Sequence, residues 1–180
     1  MADAVVIPGR LFGPGAPLTM YAGDVADRRG ARVHRHSWSQ EPPEVFDPLL
    51  QDWVAAEISP ALDALGGRPL LIAKSLGSNA AALAADRSLP AVWLTPLLHG
   101  PWIAAALRRA TAPFLLVGGT GDESWNPSLA RALTPYVLEV PDADHGLYVP
   151  GPLTGSIAVL GQVVEAVQEF LDAIGWPGSG

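Results

Sequence analysis

Leu70-Leu71-Ile72-Ala73-Lys74-Ser75-Leu76-Gly77-Ser78-Asn79-Ala80-Ala81-Ala82 decides how the rest of this 180-residue chain is read. A short apolar run suits a buried strand, Ser75 follows it at once, and an alanine-rich, helix-favouring run comes next. So sharp a strand-to-helix turn needs small residues two before and two after the serine, because bulkier side chains there collide with neighbouring backbone. Ala73 and Gly77 meet that demand, with Ala73 standing where glycine is the usual choice. The stretch has the form of a nucleophile elbow. A serine N-cap at an ordinary strand-to-helix turn is the competing reading of these residues alone.

Around this centre the chain is long enough for one domain with a substantial core. We assign residues 1–176 to that domain and 177–180 to a flexible tail. Hydrophobic residues make up 49%, charged residues only 16%, and the formal net charge is -7. Such a surface does not suit phosphate backbones, so nucleic acid is not an expected partner. With no cysteine in the chain, disulfides, thiolate nucleophiles and sulfur-ligated zinc are excluded. The N-terminal apolar run is too short for a signal peptide, and polar residues interrupt the longest apolar stretch, 157–174. A cytoplasmic protein without a membrane partner is therefore expected.

Val5-Val6-Ile7 reads as a first strand, ended by Pro8-Gly9 and a glycine-rich loop over 9–15. A helix over 17–29 follows, closed by Gly30, and then a strand over 31–38 with the alternation of a sheet edge. Residues 42–65 read as mostly helical, with Val45, Leu49, Trp53, Ala56, Leu62 and Leu65 on one stripe and a bend or break at Pro60. After the elbow come strands over 91–95, 114–117 and 136–140. Helices are expected over 102–110, from Pro127 to about 133, and over 157–174. In the last of these Ile157, Leu160, Val164, Val167, Phe170 and Leu171 are expected to face inward. Strands alternating with helices imply an α/β fold, an open, largely parallel six-stranded sheet with helices on both faces. Ligands of such sheets bind at the carboxyl ends of the strands.

The residues just past each strand end therefore carry the most information about function. Ser75 ends the third strand, Asp122 stands after the fifth within Gly118-Gly119-Thr120-Gly121-Asp122, and His145 after the sixth within Pro141-Asp142-Ala143-Asp144-His145-Gly146. That is the chain order of one Ser-Asp-His hydrolase architecture. The chain resembles the α/β-hydrolase superfamily, in particular its small capless bacterial members. Ile7-Pro8-Gly9-Arg10, Ala73-Lys74-Ser75-Leu76-Gly77, Thr95-Pro96-Leu97-Leu98, Gly119-Thr120-Gly121-Asp122 and Asp144-His145-Gly146 carry the resemblance. It implies the strand order 2-1-3-4-5-6, without the antiparallel hairpin that opens larger relatives. It also implies no cap domain, since residues 96–113 have room for one short helix only. An oxyanion hole formed by the backbone N–H of Leu76 and one from the first loop is implied too, with Leu11 favoured and Arg10 the near alternative.

The chemistry agrees with the order. A serine hydroxyl needs a base within reach, an imidazole suits that task near neutral pH, and a carboxylate on its far nitrogen holds the tautomer and steadies the positive ring. Ser75, His145 and Asp122 are the candidate catalytic residues, with Glu123 the rival acid and His99 the rival base. Candidate substrate contacts are Arg10, Leu11 and Phe12 in the first loop, Leu97, Leu98, His99 and Trp102 after the fourth strand, Trp125 after the fifth, and Leu147 and Tyr148 after the sixth. A metal held by Asp142, Asp144 and His145 lacks further ligands, so neither metal nor cofactor is expected. The expected substrate is a small molecule with an ester, thioester or lactone carbonyl. Lyase, cyclase or acyltransferase chemistry on the same fold, or a binding protein with a vestigial triad, are the alternatives. The oligomeric state is open; a second subunit in a homodimer, or the 9–15 loop, is one way of covering the site.

Overall fold

The computed structural model describes residues 1–178; Ser179 and Gly180, half of the expected tail, lie outside the described residues. Among the described residues six strands, β1 (Asp3–Ile7), β2 (Arg32–Arg35), β3 (Leu70–Lys74), β4 (Ala91–Leu94), β5 (Phe114–Gly119) and β6 (Val137–Val140), form one sheet in the order β2-β1-β3-β4-β5-β6. Every neighbouring pair is parallel. Among the described residues five α-helices connect them, α1 (Pro17–Arg28), α2 (Leu49–Leu65), α3 (Ala81–Asp86), α4 (Pro101–Arg109) and α5 (Pro127–Leu133), and α6 (Leu153–Ala173) follows β6. Only the short α4 fills the β4–β5 connection, so no cap domain is inserted there.

The central strands are apolar on both sides because each side is covered. Val6, Ile72, Val92 and Leu115 share a core with residues of α1 and α6. Their alternating neighbours Val5, Leu71, Trp93 and Leu116 pack with α2, α3 and α4. The edge strand β2 has no fully buried residue, which fits its place at the end of the sheet. Gly30 takes φ 81° just past α1, a conformation that costs a glycine little.

Two helices depart from expectation. Helix α2 starts at Leu49, so residues 42–48 are irregular, and its buried row is Leu50, Val54, Ile58 and Leu62. Leu49 remains 67% exposed, and Val45 and Ala56 are exposed too. Apolar residues stand side by side at 49–50 and 53–54, so spacing alone admits two adjacent stripes, and packing selects one. Helix α2 also runs unbroken through Pro60. Pro60 and Ala56 are both exposed, so the Ala56 carbonyl that proline cannot bond lies on the solvent side of the helix. Helix α6 begins four residues earlier than expected and buries Val159, Val163, Val167, Phe170 and Leu171, leaving Ile157 60% exposed. Among the described residues no helix is long and apolar enough to cross a membrane.

Candidate active site

Strand β3 delivers Ser75 to the sheet's carboxyl edge, where a 3₁₀ turn (Ser75–Ala80) leads into α3. Ser75 takes φ 51°, a left-handed conformation that a non-glycine residue holds only under surrounding constraint. The constraint is visible. A Cβ on Gly77 would lie 3.0 Å from the Ile7 carbonyl and 3.1 Å from that of Pro8, so the turn presses on β1 and only glycine fits there without a shift. Ala73 is fully buried. Ser78 Oγ donates to the Ser75 carbonyl at 2.6 Å and accepts the Leu97 N–H at 3.1 Å, tying the turn to the segment after β4. Asn79 Nδ2 donates to the Leu76 carbonyl at 2.9 Å, and Trp102 Nε1 donates to Asn79 Oδ1 at 2.9 Å.

Asp122 lies past β5 and His145 past β6, and close backbone packing brings them together. A side chain on Gly119 would overlap the Ala143 carbonyl, and Gly121 N–H donates to that carbonyl at 3.0 Å. Asp144 turns the histidine loop by accepting N–H groups of Gly146 at 2.7 Å and Tyr148 at 3.0 Å. His145 Nδ1 then stands 2.7 Å from Asp122 Oδ2, and His145 Nε2 stands 2.8 Å from Ser75 Oγ. The Asp122 side chain is only 4% exposed, while the imidazole is 39% exposed and open to a ligand. Burial pushes the Asp122 carboxyl up, but hydrogen bonds from His145 and from the Ser124 N–H at 2.8 Å outweigh it and leave its pKa below the ordinary value. Glu123 points to solvent, and His99 lies exposed against Phe46, ring centroids 4.2 Å apart.

Lys74 is held by the same loop. Its Nζ donates to the His145 carbonyl at 3.3 Å; burial lowers its pKa, opposed by the charges of Asp122 and Asp144. Among the described residues no three His, Asp or Glu side chains converge as a metal would need, and Asp144 is engaged with backbone.

A groove of about 690 Å³ opens over Ser75 and His145. Arg10, Leu11, Phe12 and Leu97 line it, as do Leu76 and Gly9. Leu76 directly follows the serine at the start of a helical turn, where the first N–H groups have no intrahelical acceptor. Arg10 does more than line the wall. Its guanidinium donates to the Pro42 and Pro43 carbonyls at 2.8 and 2.7 Å and holds residues 42–48 across the mouth.

That segment supplies Glu44, Val45 and Phe46 to the groove, and α2 adds Leu50. None of the four was expected there. Pro42, Pro43 and Pro48 are the signal that the segment is not helix, since each removes a donor and restricts its predecessor. Other expected contacts need correction. Leu98 is buried in the core, and so is Trp125, whose Nε1 donates to Glu139 Oε2 at 2.8 Å. Gly118 lets that ring lie against β5, because a side chain there would overlap it. Trp102 and His99 stand behind Phe46 rather than on the groove wall, Trp102 spending its donor on Asn79. Leu147 and Tyr148 line a neighbouring cavity instead.

No protein-family model matches the chain, and no curated protein matches it in sequence. Solved structures match it in fold. Est1E from Butyrivibrio proteoclasticus, solved with ferulic acid bound, superposes with a TM-score of 0.67 over 97% of this chain and 89% of its own, at 15% identity. A protein of the alpha/beta hydrolase superfamily from Xanthomonas campestris pv. campestris gives 0.67 at 22% identity, covering 96% of this chain and 99% of its own. An a/b serine hydrolase without lid from Xanthomonas campestris gives 0.57 at 15% identity, covering 100% and 86%. Together with the sheet order, this likeness shows that the chain has the α/β-hydrolase fold.

Proposed function

We propose that this protein is a serine hydrolase that cleaves an ester, thioester or lactone of a small molecule through an acyl-enzyme. The observation that carries this reading is the unbroken chain Ser75 Oγ, His145, Asp122 at 2.8 and 2.7 Å, opening on a groove at the strand ends. His145 Nε2 takes the Ser75 proton as Oγ attacks the carbonyl carbon, and Asp122 steadies the imidazolium. The tetrahedral oxyanion is met by backbone N–H groups, of Leu76 and, from the first loop, Leu11. Each such donor is worth roughly 3–4 kcal/mol in the barrier. As the carbonyl re-forms, the leaving oxygen or sulfur departs with the proton from His145. Water, deprotonated by the same imidazole, then hydrolyses the acyl-Ser75 ester and restores the free serine, so that one water is consumed and an acid and an alcohol or thiol are released, or a single hydroxy acid from a lactone. The residues ask for no cofactor.

The fold hosts proteins of differing activity, so the reading rests on the side-chain geometry at the strand ends and leaves the substrate to experiment. Product analysis distinguishes hydrolysis from transfer. Incubation of the protein with a short-chain ester in the presence of an alcohol acceptor is expected to yield mainly free acid. An exchanged ester as the main product, at acceptor concentrations well below that of water, would make the protein an acyltransferase instead.

A further inference from the structure

Beside the groove a second cavity of about 360 Å³ opens between the start of α1, the loop after β6 and the first turns of α6. Its walls are Leu18, Leu147, Leu153, Ile157 and Leu160, with the Tyr148 ring. It shares Phe12, Ala16, Lys74 and Gly146 with the groove, so the two spaces meet within one residue of His145. Of the polar side chains beside those apolar ones, Ser156 and Lys74 each hold one backbone partner. Ser156 Oγ accepts the Val149 N–H at 3.1 Å, and Lys74 donates to the His145 carbonyl with its charge facing Asp122 and Asp144. A space walled in this way favours hydrocarbon over a charged or hydroxyl-rich group, which would lose its water without replacement.

The exposed apolar residues agree. Ile157, expected to face the core, instead stands at this cavity, and Leu153 one turn earlier does the same. Phe12 is 87% exposed at φ 68°, on the border of both spaces. All three gain by being covered with an apolar ligand.

We propose that this cleft takes the hydrocarbon arm, alkyl or aryl, of the substrate whose carbonyl Ser75 attacks. The protein then selects apolar-chain substrates over those of acetate size. This inference rests on the serine hydrolase reading and names its substrate class. The arm belongs either to the acyl half or to the alcohol half of the ester. Each methylene that enters the cleft raises kcat/KM by about fourfold until the space is full, the equivalent of about 0.8 kcal/mol per buried CH₂.

Two substrate series separate the halves: p-nitrophenyl esters from acetate to octanoate, and acetate esters of straight-chain alcohols from methanol to octanol. Each is measured with the native protein and with Ile157→Asp, a change at an exposed position. One series is expected to climb about fourfold per methylene over its first members, and Ile157→Asp to lower the ratio of its longest to its shortest member at least about tenfold. Turnover that is flat along both series, or a slope that Ile157→Asp leaves intact, overturns the cleft while serine hydrolysis stands. Should no ester turn over, calorimetric titration of octanamide into Ser75→Ala protein decides the matter. Binding that Ile157→Asp weakens supports the cleft by itself, and no binding overturns it.

Discussion

His145→Ala is expected to reduce kcat by at least about a thousandfold, the scale for losing one member of a catalytic triad. Alanine leaves Ser75 Oγ without the acceptor now 2.8 Å away and removes the proton donor for the leaving group. His99→Ala is the informative contrast, because His99 follows the strand next to β3 and simple adjacency favours it. The structure separates the two rings. His99 is exposed and stacked on Phe46, with no carboxylate among the described residues bonded to it, whereas His145 bridges Ser75 and Asp122. Loss of His99 should free Phe46 on the groove wall and change KM or substrate preference, with little effect on kcat. Steady-state kinetics on folded variants check this. An inactive His99→Ala beside a His145→Ala of near-normal kcat would make the assigned triad wrong.

The second large effect is expected from Asp122→Asn, a fall in kcat of about a hundredfold to ten-thousandfold with Glu123→Gln nearly unaffected. Asparagine keeps the shape but can offer Nδ1 an N–H where it needs an acceptor, which turns the imidazole to the wrong tautomer. The same carboxylate also leaves a signature in stability. Its pKa is depressed in the folded protein, so its contribution is complete above the ordinary unfolded carboxylate value of about 3.9 and is lost as pH falls through the folded value. Urea midpoints measured downward from about pH 6 should therefore fall more steeply for the native protein than for Asp122→Asn at the acid end. Equal slopes, or a Glu123→Gln that is the inactive variant, would transfer the role away from Asp122.

The three side chains that meet at the sheet's carboxyl edge were legible because each sits at the end of a strand, and strand ends can be counted along the chain. Ser75, Asp122 and His145 are 47 and 23 residues apart, yet the parallel order of β3, β5 and β6 returns all three to one edge. The groove walls were less legible, because they depend on which way a side chain turns after a strand and on what crosses from elsewhere. Leu98 and Trp125 follow strand ends as their neighbours do, but turn into the core. Phe46 comes from a segment far from the elbow in sequence, carried over the mouth by the hydrogen bonds of Arg10 to Pro42 and Pro43. Ile157 shows the same limit in a helix: periodicity finds the apolar side, but not the point where that side leaves the core for a cavity.

Reaction with a fluorophosphonate, which leaves ordinary serines untouched but phosphonylates one activated by a neighbouring base, bears most directly on whether Ser75 is a working nucleophile. Intact-protein mass spectrometry of the native chain is expected to show one adduct, mapped to Ser75, and none in Ser75→Ala, while Ser78→Ala retains it. Equal labelling of the Ser75→Ala protein, or no labelling of the native protein, would contradict the account.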